Sequence, residues 1–213
     1  MLLKKVLMKS VTHNGHRDHE MNVLIADDRR FQSYRIWASL SALTDVPAIS
    51  TGESVEEVLR LAMHHVPRVS MVSATFGSGE GFSLAHRLKD RTDLPSVLIY
   101  FDAVNPGLAG AAVVAGADGV FAWEADAERL GELIGRVLSG EKLFPPLVPD
   151  PFEELASHVA EGDRRIVAML LEGAHPDAIA SLCDLSVREL TLRRQAIVRR
   201  LDTAYARAPI PQS

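Results

Sequence analysis

The sequence predicts a parallel α/β domain followed by a smaller all-α domain. Three observations carry this prediction. Short apolar stretches alternate five times with amphipathic stretches between Met21 and Leu138, a proline-rich segment occupies 140–150, and only helical periodicity follows it. Five β/α units of this length predict a parallel five-stranded sheet with helices on both faces, connected by right-handed crossovers.

Composition limits the classes of protein to which this chain can belong. A length of 213 residues suits two small domains, and a hydrophobic content of 47% is that of a globular protein. The formal net charge of −5 argues against general polyanion binding, so a nucleic-acid surface must be local. The single cysteine, Cys183, excludes an internal disulfide and favours a reducing compartment, and we therefore expect a cytoplasmic protein. No apolar run approaches the roughly 20 residues of a membrane span, and residues 1–10 do not make a convincing signal peptide.

Residues 1–20 are predicted to be a flexible N-terminal extension. His13, His16 and His19 recur at every third position, which raises the question of metal binding. Because glycine and polar residues separate these histidines, a polar tail is the favoured interpretation.

The first domain can be divided into alternating elements. Its strands are predicted at 22–26, 46–50, 68–74, 96–101 and 119–122. Its helices are predicted at 29–43, 54–65, 82–89, 106–115 and 127–138. The expected inner faces of the first two helices consist of Phe31, Ile36, Trp37, Leu40, Val55, Val58, Leu59 and Ala62. Ligands of such sheets gather at the carboxyl ends of the strands, where Asp27, Asp28, Ser73, Tyr100 and Phe101 fall.

The stretch from Asp163 to Leu201 is predicted to form three helices. Gly173 ends the first, Pro176 opens the second, and Ser186 can cap the third. Their expected buried face consists of Ile166, Met169, Leu170, Ile179, Ala180, Leu182, Leu190, Ile197, Val198 and Leu201. The outer face of the last helix carries Arg188, Thr191, Arg193, Arg194, Gln195, Arg199 and Arg200. A last helix that exposes arginines and short polar side chains fits a DNA major groove.

This C-terminal stretch resembles the helix-turn-helix of the NarL/LuxR-type response regulators and aligns with it without a gap. The family's core motif, Gly-x-x-x-x-x-Ile-Ala-x-x-Leu, is matched by Gly173, Ile179, Ala180 and Leu182. The recognition motif Ser-x-x-Thr-Val-x-x-His is matched more loosely, by Ser186, Glu189, Leu190 and Arg193. The family's opening Leu-Thr-x-x-Glu is replaced by Val159-Ala160-x-x-Asp163.

Residues 21–140 resemble the receiver domain of the same regulators, which implies a flavodoxin-like α/β fold. The matching features are the acidic pair after the first strand, Gly81 after the third, and the run from Ala115 to Gly119 before the fifth. The two resemblances imply an extension at 1–20, an atypical receiver at 21–139, a linker at 140–151 and a helix-turn-helix domain at 152–208.

The positions that carry phosphate chemistry in the family are altered. Receivers accept a phosphoryl group on an aspartate at the end of the third strand, beside Mg²⁺ held by the acidic pair, and Ser73 occupies that place. A serine hydroxyl lacks the charge of a carboxylate and ionises far above neutral pH. Tyr100 or Phe101 replaces the family's short hydroxyl residue, and Trp123 replaces its lysine. The resemblance therefore implies a degenerate phosphorylation site made of Asp27, Asp28, Ser73, Tyr100, Phe101 and Trp123.

No cofactor is expected at this degenerate site. Asp27 and Asp28 alone provide at most a weak site for a divalent cation. Trp123, together with Tyr100 or Phe101, is expected to fill the space left by the phosphate and the lysine. These aromatics would either plug the site or line an apolar pocket for a small molecule or a partner side chain.

The resemblance also implies roles on the last helix. The base-reading positions of the family correspond to Thr191, Leu192 and Gln195. Arg188 and Arg193 can reach either guanine or phosphate. Phosphate contacts are expected from Arg194, Arg199 and Arg200.

The resulting hypothesis is a DNA-binding transcriptional regulator, not an enzyme, that acts as a dimer without aspartate phosphorylation. The candidate dimer stripe on the last receiver helix consists of Leu130, Leu133, Ile134 and Val137. The alternative is a protein-interaction module or heterodimer partner, because the departures at Asp163 and Arg193 are compatible with weakened DNA binding. An enzyme or phosphotransfer protein is the third hypothesis, and no nucleophile–base pair, metal triad or phosphate loop in the sequence supports it.

Overall fold

The structure, a computed structural model, describes residues 22–43, 46, 48–90 and 96–206. The strands are β1 (Asn22–Ala26), β2 (Ala48–Gly52), β3 (Val69–Ser73), β4 (Ser96–Phe101) and β5 (Gly119–Ala122). The longer helices of the first domain are α1 (Arg30–Ser41), α2 (Val55–His65), α3 (Gly81–Lys89), α4 (Pro106–Ala115) and α5 (Ala127–Leu138), and a short helical turn spans Phe76–Gly79. The C-terminal helices are α6 (Phe152–His158), α7 (Arg164–Leu171), α8 (Pro176–Leu182) and α9 (Val187–Ala206). The predicted N-terminal extension, with its three histidines, lies outside the described residues.

The five strands form one parallel sheet in the order β2-β1-β3-β4-β5, which confirms the predicted α/β fold. All five residues of β3 are buried, because helices cover both faces of the sheet at its centre. Ala26 pairs with Val72, and Ser73 pairs with Tyr100. This register brings the carboxyl ends of β1, β3 and β4 together, so the residues at those ends share one edge of the sheet.

Helices α1 and α5 cover one face of the sheet. Ile36 and Leu40 of α1 pack there beside the apolar stripe of α5. That stripe is the one proposed from the sequence for dimerisation, namely Leu130, Leu133, Ile134 and Val137. Each of these side chains is at most 2% exposed. The stripe forms the core of its own domain, and the prediction that it serves a dimer is wrong.

Helices α2, α3 and α4 cover the other face, and the C-terminal helices pack against α3 and α4. Buried side chains form one unbroken cluster from the sheet through α3 and α4 into α6, α7, α8 and α9. Leu84 and Ala112 lie on the receiver side of this cluster, and Leu155, Val198 and Leu201 lie on the C-terminal side. The two domains therefore share a hydrophobic core.

The first part of the linker is held at the edge of the sheet. Leu143 makes a parallel bridge to Gly119, and Lys142 forms an ion pair with Asp118 at 2.6 Å. Asp118 also binds Lys89 at 2.9 Å and accepts the backbone N–H of Val97 at 2.7 Å. Burial opposes the charge of Asp118, but the two lysines and this N–H outweigh it and lower the pKa of its carboxyl.

Two side chains that were predicted to be buried are exposed. Phe31 is 66% exposed, because it lies five residues before Ile36 and therefore roughly 140° around α1 from the buried stripe. Leu182 is 55% exposed, because α8 buries Ile179 and Ala180 and ends at Leu182. None of the helices in the described ranges is long and apolar enough to cross a membrane.

Candidate functional site

The carboxyl ends of the central strands carry a compact polar group, here called the strand-end cluster: Asp27, Arg29, Ser73, Tyr100 and Asp102. The Arg29 guanidinium lies at its centre. Its Nε donates to Asp27 Oδ1 at 3.3 Å, its Nη2 to Ser73 Oγ at 3.0 Å and its Nη1 to Asp102 Oδ1 at 3.2 Å. One side chain therefore joins the ends of β1, β3 and β4.

Both carboxylate oxygens of Asp27 are engaged by protein donors. Oδ1 accepts the backbone N–H of Arg29 at 2.9 Å in addition to its guanidinium, and Oδ2 accepts the Tyr100 hydroxyl at 2.7 Å. Asp27 is 1% exposed, whereas Asp28 is exposed. Within the described residues, no group of three or more His, Cys, Asp or Glu side chains could hold a metal ion. The counter-charge of Asp27 is a guanidinium of the same chain.

The electrostatics of the cluster keep both Arg29 and Tyr100 protonated. Burial opposes the charge of Arg29, but Asp27 and Asp102 outweigh that effect and raise the pKa of the guanidinium above its usual value. Burial, with the adjacent Asp27 carboxylate, raises the pKa of Tyr100 well above that of a free phenol. Tyr100 therefore remains a hydrogen-bond donor at neutral pH, and Arg29 remains a cation.

Ser73 is held as a hydrogen-bonding side chain. Ser73 is fully buried. Its Oγ accepts a hydrogen bond from the Arg29 guanidinium and lies 3.2 Å from the Thr75 hydroxyl. Neither of these partners is a base that could remove the serine proton. In the position of the family's phosphoacceptor the chain thus has an unactivated hydroxyl beside a fixed cation.

The aromatic residues of the degenerate site are distributed differently from the expectation. Tyr100 is buried against Phe121, with ring centroids 5.4 Å apart, while Phe101 packs on the other face of the sheet against Phe82 at 6.1 Å. Trp123 lies over α1, where its ring is 6.2 Å from that of Phe31 and 5.0 Å from the Arg35 guanidinium. Of the aromatics expected to fill the space left by phosphate and lysine, Tyr100 reaches Asp27 with its hydroxyl, whereas Trp123 contacts α1.

Arg29 lies between Asp27, Ser73 and Asp102, whereas its place in the sequence predicts only that it begins a helix. The signal that could have identified it is a cation directly after an acidic pair at a strand end. A buried carboxylate at such a point needs a positive partner, and Arg29 is the nearest one in the sequence.

The second candidate site is the outer face of α9. It comprises the exposed residues Arg188, Leu192, Arg193, Arg199 and Arg200. The two other predicted base-reading residues, Thr191 and Gln195, lie at its edge and are half-buried. The remaining predicted residue, Arg194, points away from this face.

Arg194 contacts the receiver domain. Its Nε donates to the Val114 carbonyl at 2.7 Å, and burial lowers the pKa of its guanidinium. On α9 it lies four residues before Val198 and seven before Leu201, both of which are buried. The predicted phosphate contact of Arg194 does not fit this arrangement, because the periodicity of α9 places it on the inner face.

The residues of the helix-turn-helix that differ from the family motif contact one another or neighbouring residues. Asp163 and Arg193, the two positions that depart from the family's Glu and His, form an ion pair at 3.3 Å. Glu189 replaces the family's Thr and closes a capping box, because its carboxylate accepts the Ser186 N–H at 2.8 Å while Ser186 Oγ accepts the Glu189 N–H at 3.2 Å. The predicted capping role of Ser186 is confirmed.

Comparisons with known proteins agree with this architecture. No family model matches the sequence. The transcriptional regulatory protein DesR of Bacillus subtilis is 20% identical over 173 residues, which cover 81% of this chain and 85% of DesR.

Solved structures extend the comparison. The RcsB response regulator of Salmonella typhimurium superposes with a TM-score of 0.54 at 18% identity, covering 86% of this chain and 93% of RcsB. The receiver domain of the putative regulator NarL from Mycobacterium tuberculosis gives 0.53 at 18% identity, covering 58% of this chain and all of that domain. At these identities the structures show a shared fold, namely a receiver domain joined to a helical C-terminal domain.

Proposed function

We propose that this chain, which has the sequence pattern and architecture of a NarL/LuxR-type response regulator, binds specific DNA sequences to regulate transcription without aspartate phosphorylation. The observation that carries the proposal is the outer face of α9. It presents four arginines to solvent on a helix whose N-terminus is correctly capped and whose opposite side is buried.

The ion pair of Asp163 and Arg193 supports a domain that binds DNA over one that has lost this activity. One Nη of Arg193 binds Asp163, and the side chain remains 47% exposed, which leaves donors free for a base or a phosphate. The two residues that differ from the family pattern, Asp163 and Arg193, therefore form a pair that keeps Arg193 available to DNA. This observation weakens the alternative of a protein-interaction module that has lost its DNA surface.

The positions on α9 suggest a division of roles. We assign base contacts to Thr191, Leu192 and Gln195, and either base or phosphate contacts to Arg188 and Arg193. Arg199 and Arg200 lie further along the exposed face and suit phosphate contacts, which set orientation. Arg194 is excluded from this set because it binds the receiver.

The strand-end cluster supports independence from phosphorylation. A phosphoryl acceptor in a receiver needs a carboxylate and a divalent cation, whereas Ser73 has neither a charge nor a base. Arg29 already neutralises Asp27. A chemically inert cluster of this kind stabilises one conformation of the receiver in the absence of a signal.

Dimerisation is assigned to a surface other than the α5 stripe. Phe31 and Tyr34 of α1 are 66% and 60% exposed, and they lie beside Trp37 and Trp123. This α1 aromatic surface also carries the Arg35 guanidinium, so aromatic rings and a cation stand side by side. A second copy related by a two-fold axis can place its arginine over these rings, and we assign the surface to a homodimer on that ground.

DNA binding is tested by selecting bound duplexes from a random-sequence library with the full chain. We expect enrichment of an inverted repeat whose half-sites lie about one helical turn apart. The affinity should fall with salt, with a logarithmic slope of about −0.9 for each phosphate contacted. Recovery of no preferred sequence at low ionic strength would favour the interaction-module alternative.

The matched control for this selection is an arginine away from α9. Replacing Arg199 with glutamine should reduce the salt slope by about one contact, whereas replacing Arg87, which is exposed on α3, should leave it unchanged. Equal effects of the two changes on the salt slope would mean that DNA binding depends on overall positive charge and not on the outer face of α9.

A further inference from the structure

Helix α3 of the receiver is capped by a side chain of α9. Within the described part of the chain, the residue before α3, Glu80, makes no side-chain capping bond. The carboxylate of Asp202, on α9, accepts the backbone N–H of Phe82 and of Ser83, each at 2.9 Å. These are N–H groups of the first turn, which have no partner inside their own helix.

Helix α4 is contacted at its opposite end by the same element. The carbonyl of Val114, in the last turn of α4, accepts the Nε of Arg194 at 2.7 Å. An anion therefore lies at a helix N-terminus and a cation at a helix C-terminus, and each complements the helix dipole that it meets. Arg194 and Asp202 are eight residues apart and lie on the same side of α9.

Close packing accompanies these polar contacts. A Cβ added at Gly110 of α4 would lie 2.8 Å from Pro151 Cγ and 3.0 Å from Leu155 Cδ1, so α6 can approach α4 this closely only because the residue is glycine. The Tyr205 ring of α9 lies 6.0 Å from that of Phe82. The contacts of α6 and α9 with α3 and α4 are hereafter called the docking interface.

The docking interface leaves the outer face of α9 exposed. Asp202 and Arg194 face the receiver, while Arg188, Arg199 and Arg200 face solvent. A receiver that blocked DNA binding would cover those arginines.

We propose that the receiver is a permanent structural part of the DNA-binding unit, docked through Asp202 and Arg194 both in the free protein and on DNA. The statement about DNA rests on the proposed function, whereas the statement about the free protein does not.

Docking is measured in the full chain with two nitroxide labels, on Met63→Cys in α2 and Leu182→Cys in α8, in a Cys183→Ser background. Both label sites are exposed. Pulsed electron spin resonance should give one narrow distance distribution, and calorimetry should give one unfolding transition. A broad distribution in the otherwise unchanged protein would overturn the proposal.

The interface is then opened with Gly110→Leu, which inserts a side chain between α4 and α6 without disfavouring the helix. The matched control is Gly135→Leu on α5, where an added Cβ would meet no described atom within 4 Å. Gly110→Leu should lengthen and broaden the label distance, and Gly135→Leu should not. Asp202→Ala is the second opening variant, and it decides the question if Gly110→Leu does not fold.

The DNA probe is a duplex enriched from the random library by the unmodified chain. Opening the interface should weaken binding by about tenfold or more, and the Gly135→Leu control should bind as the original does. Tighter or unchanged binding by an opened variant would overturn the proposal, because the receiver would then inhibit or be dispensable. If the unmodified chain enriches no duplex, the proposed function fails, while the label distances still decide whether the domains are docked.

Discussion

Arg29 supplies the counter-charge of Asp27 from within the chain. Its guanidinium bridges Asp27, Ser73 and Asp102, and its side chain is 27% exposed while that of Asp27 is fully buried. Removing the guanidinium would leave a buried carboxylate without its counter-charge, which is among the more costly single changes in a protein.

We predict that Arg29→Ala lowers the free energy of unfolding by about 2 kcal/mol, between the values for surface and fully buried pairs. The measurement is urea denaturation, and the matched control is the adjacent Arg30→Ala. Arg30 forms an exposed pair with Glu53, with side chains 84% and 55% exposed, and its loss should cost at most about 0.5 kcal/mol. Equal effects of the two changes would show that the strand-end cluster adds no stability.

Asp202 is predicted to give the fold a specific pH dependence. Burial raises the pKa of its carboxyl from 3.8 to about 6, against the opposing hydrogen bonds from Ser83 and Phe82, and the nearby Glu80 adds to the rise. A raised pKa means that the folded protein binds the proton more tightly than the unfolded chain. The stability that this group contributes is therefore complete below pH 3.8 and is lost as the pH rises through 6.

The measurement compares the original chain with Asp202→Asn by urea denaturation from pH 4 to pH 7. Between pH 4 and pH 7 the unfolding free energy of the original chain should fall by about 2 kcal/mol relative to that of Asp202→Asn. The buried His86 at the same interface, whose pKa is lowered by burial and by Arg194, is present in both proteins and cancels. A difference that stays constant with pH would place Asp202 in solvent and contradict the docked arrangement.

At the scale of elements, α9 has a buried side and an exposed side. The buried side of α9 contains Leu190, Ile197 and Leu201, and the opposite side carries the arginines of the outer face. The Asp163 partner orients Arg193 at the boundary between the two.

We predict that Arg193→Ala weakens specific DNA binding by about 1–3 kcal/mol, because a base or phosphate contact is lost. Titration of the selected duplex measures the change. Asp163→Asn is the control, since it removes the charge of the partner and keeps Arg193. Similar losses in both variants would assign the effect to the ion pair and not to a DNA contact.

The sequence predicts elements better than it predicts individual side chains. Apolar runs and their spacing predict all five strands, because burial on two faces leaves a strong local signal. They place β2 two residues too early and do not predict α6. Leu182 is exposed because a local apolar pattern does not reveal where a helix ends. Phe31 is exposed because its position on α1 lies away from the buried stripe, although its apolar side chain alone suggests burial. The periodicity of α9 places Arg194 on the inner face, but it does not identify the partner, Val114, which lies 80 residues away in the sequence. Contacts of that range follow from the fold and not from periodicity.

At the scale of the whole molecule, we propose that two surfaces of the chain bind different partners. The outer face of α9 is assigned to DNA, and the α1 aromatic surface to a second copy. The shared core joins α9 to α3 and α4, whereas α1 packs with α5 on the opposite face of the sheet.

We predict that replacing both Phe31 and Tyr34 with serine weakens the dimer by about tenfold or more, because two exposed rings leave the contact. Sedimentation measures the association constant. The control is Met63→Ser, which removes a side chain that is 53% exposed on α2 and should leave dimerisation unchanged. A dimer that tolerates the double change must use another surface.

The most direct test of the account measures the affinity of the full chain for its selected duplex before and after incubation with acetyl phosphate and Mg²⁺, with the intact mass recorded in parallel. The strand-end cluster predicts an unchanged mass and an unchanged affinity, because Ser73 is an unactivated hydroxyl beside a fixed cation. A covalently added phosphoryl group that alters DNA binding would contradict it.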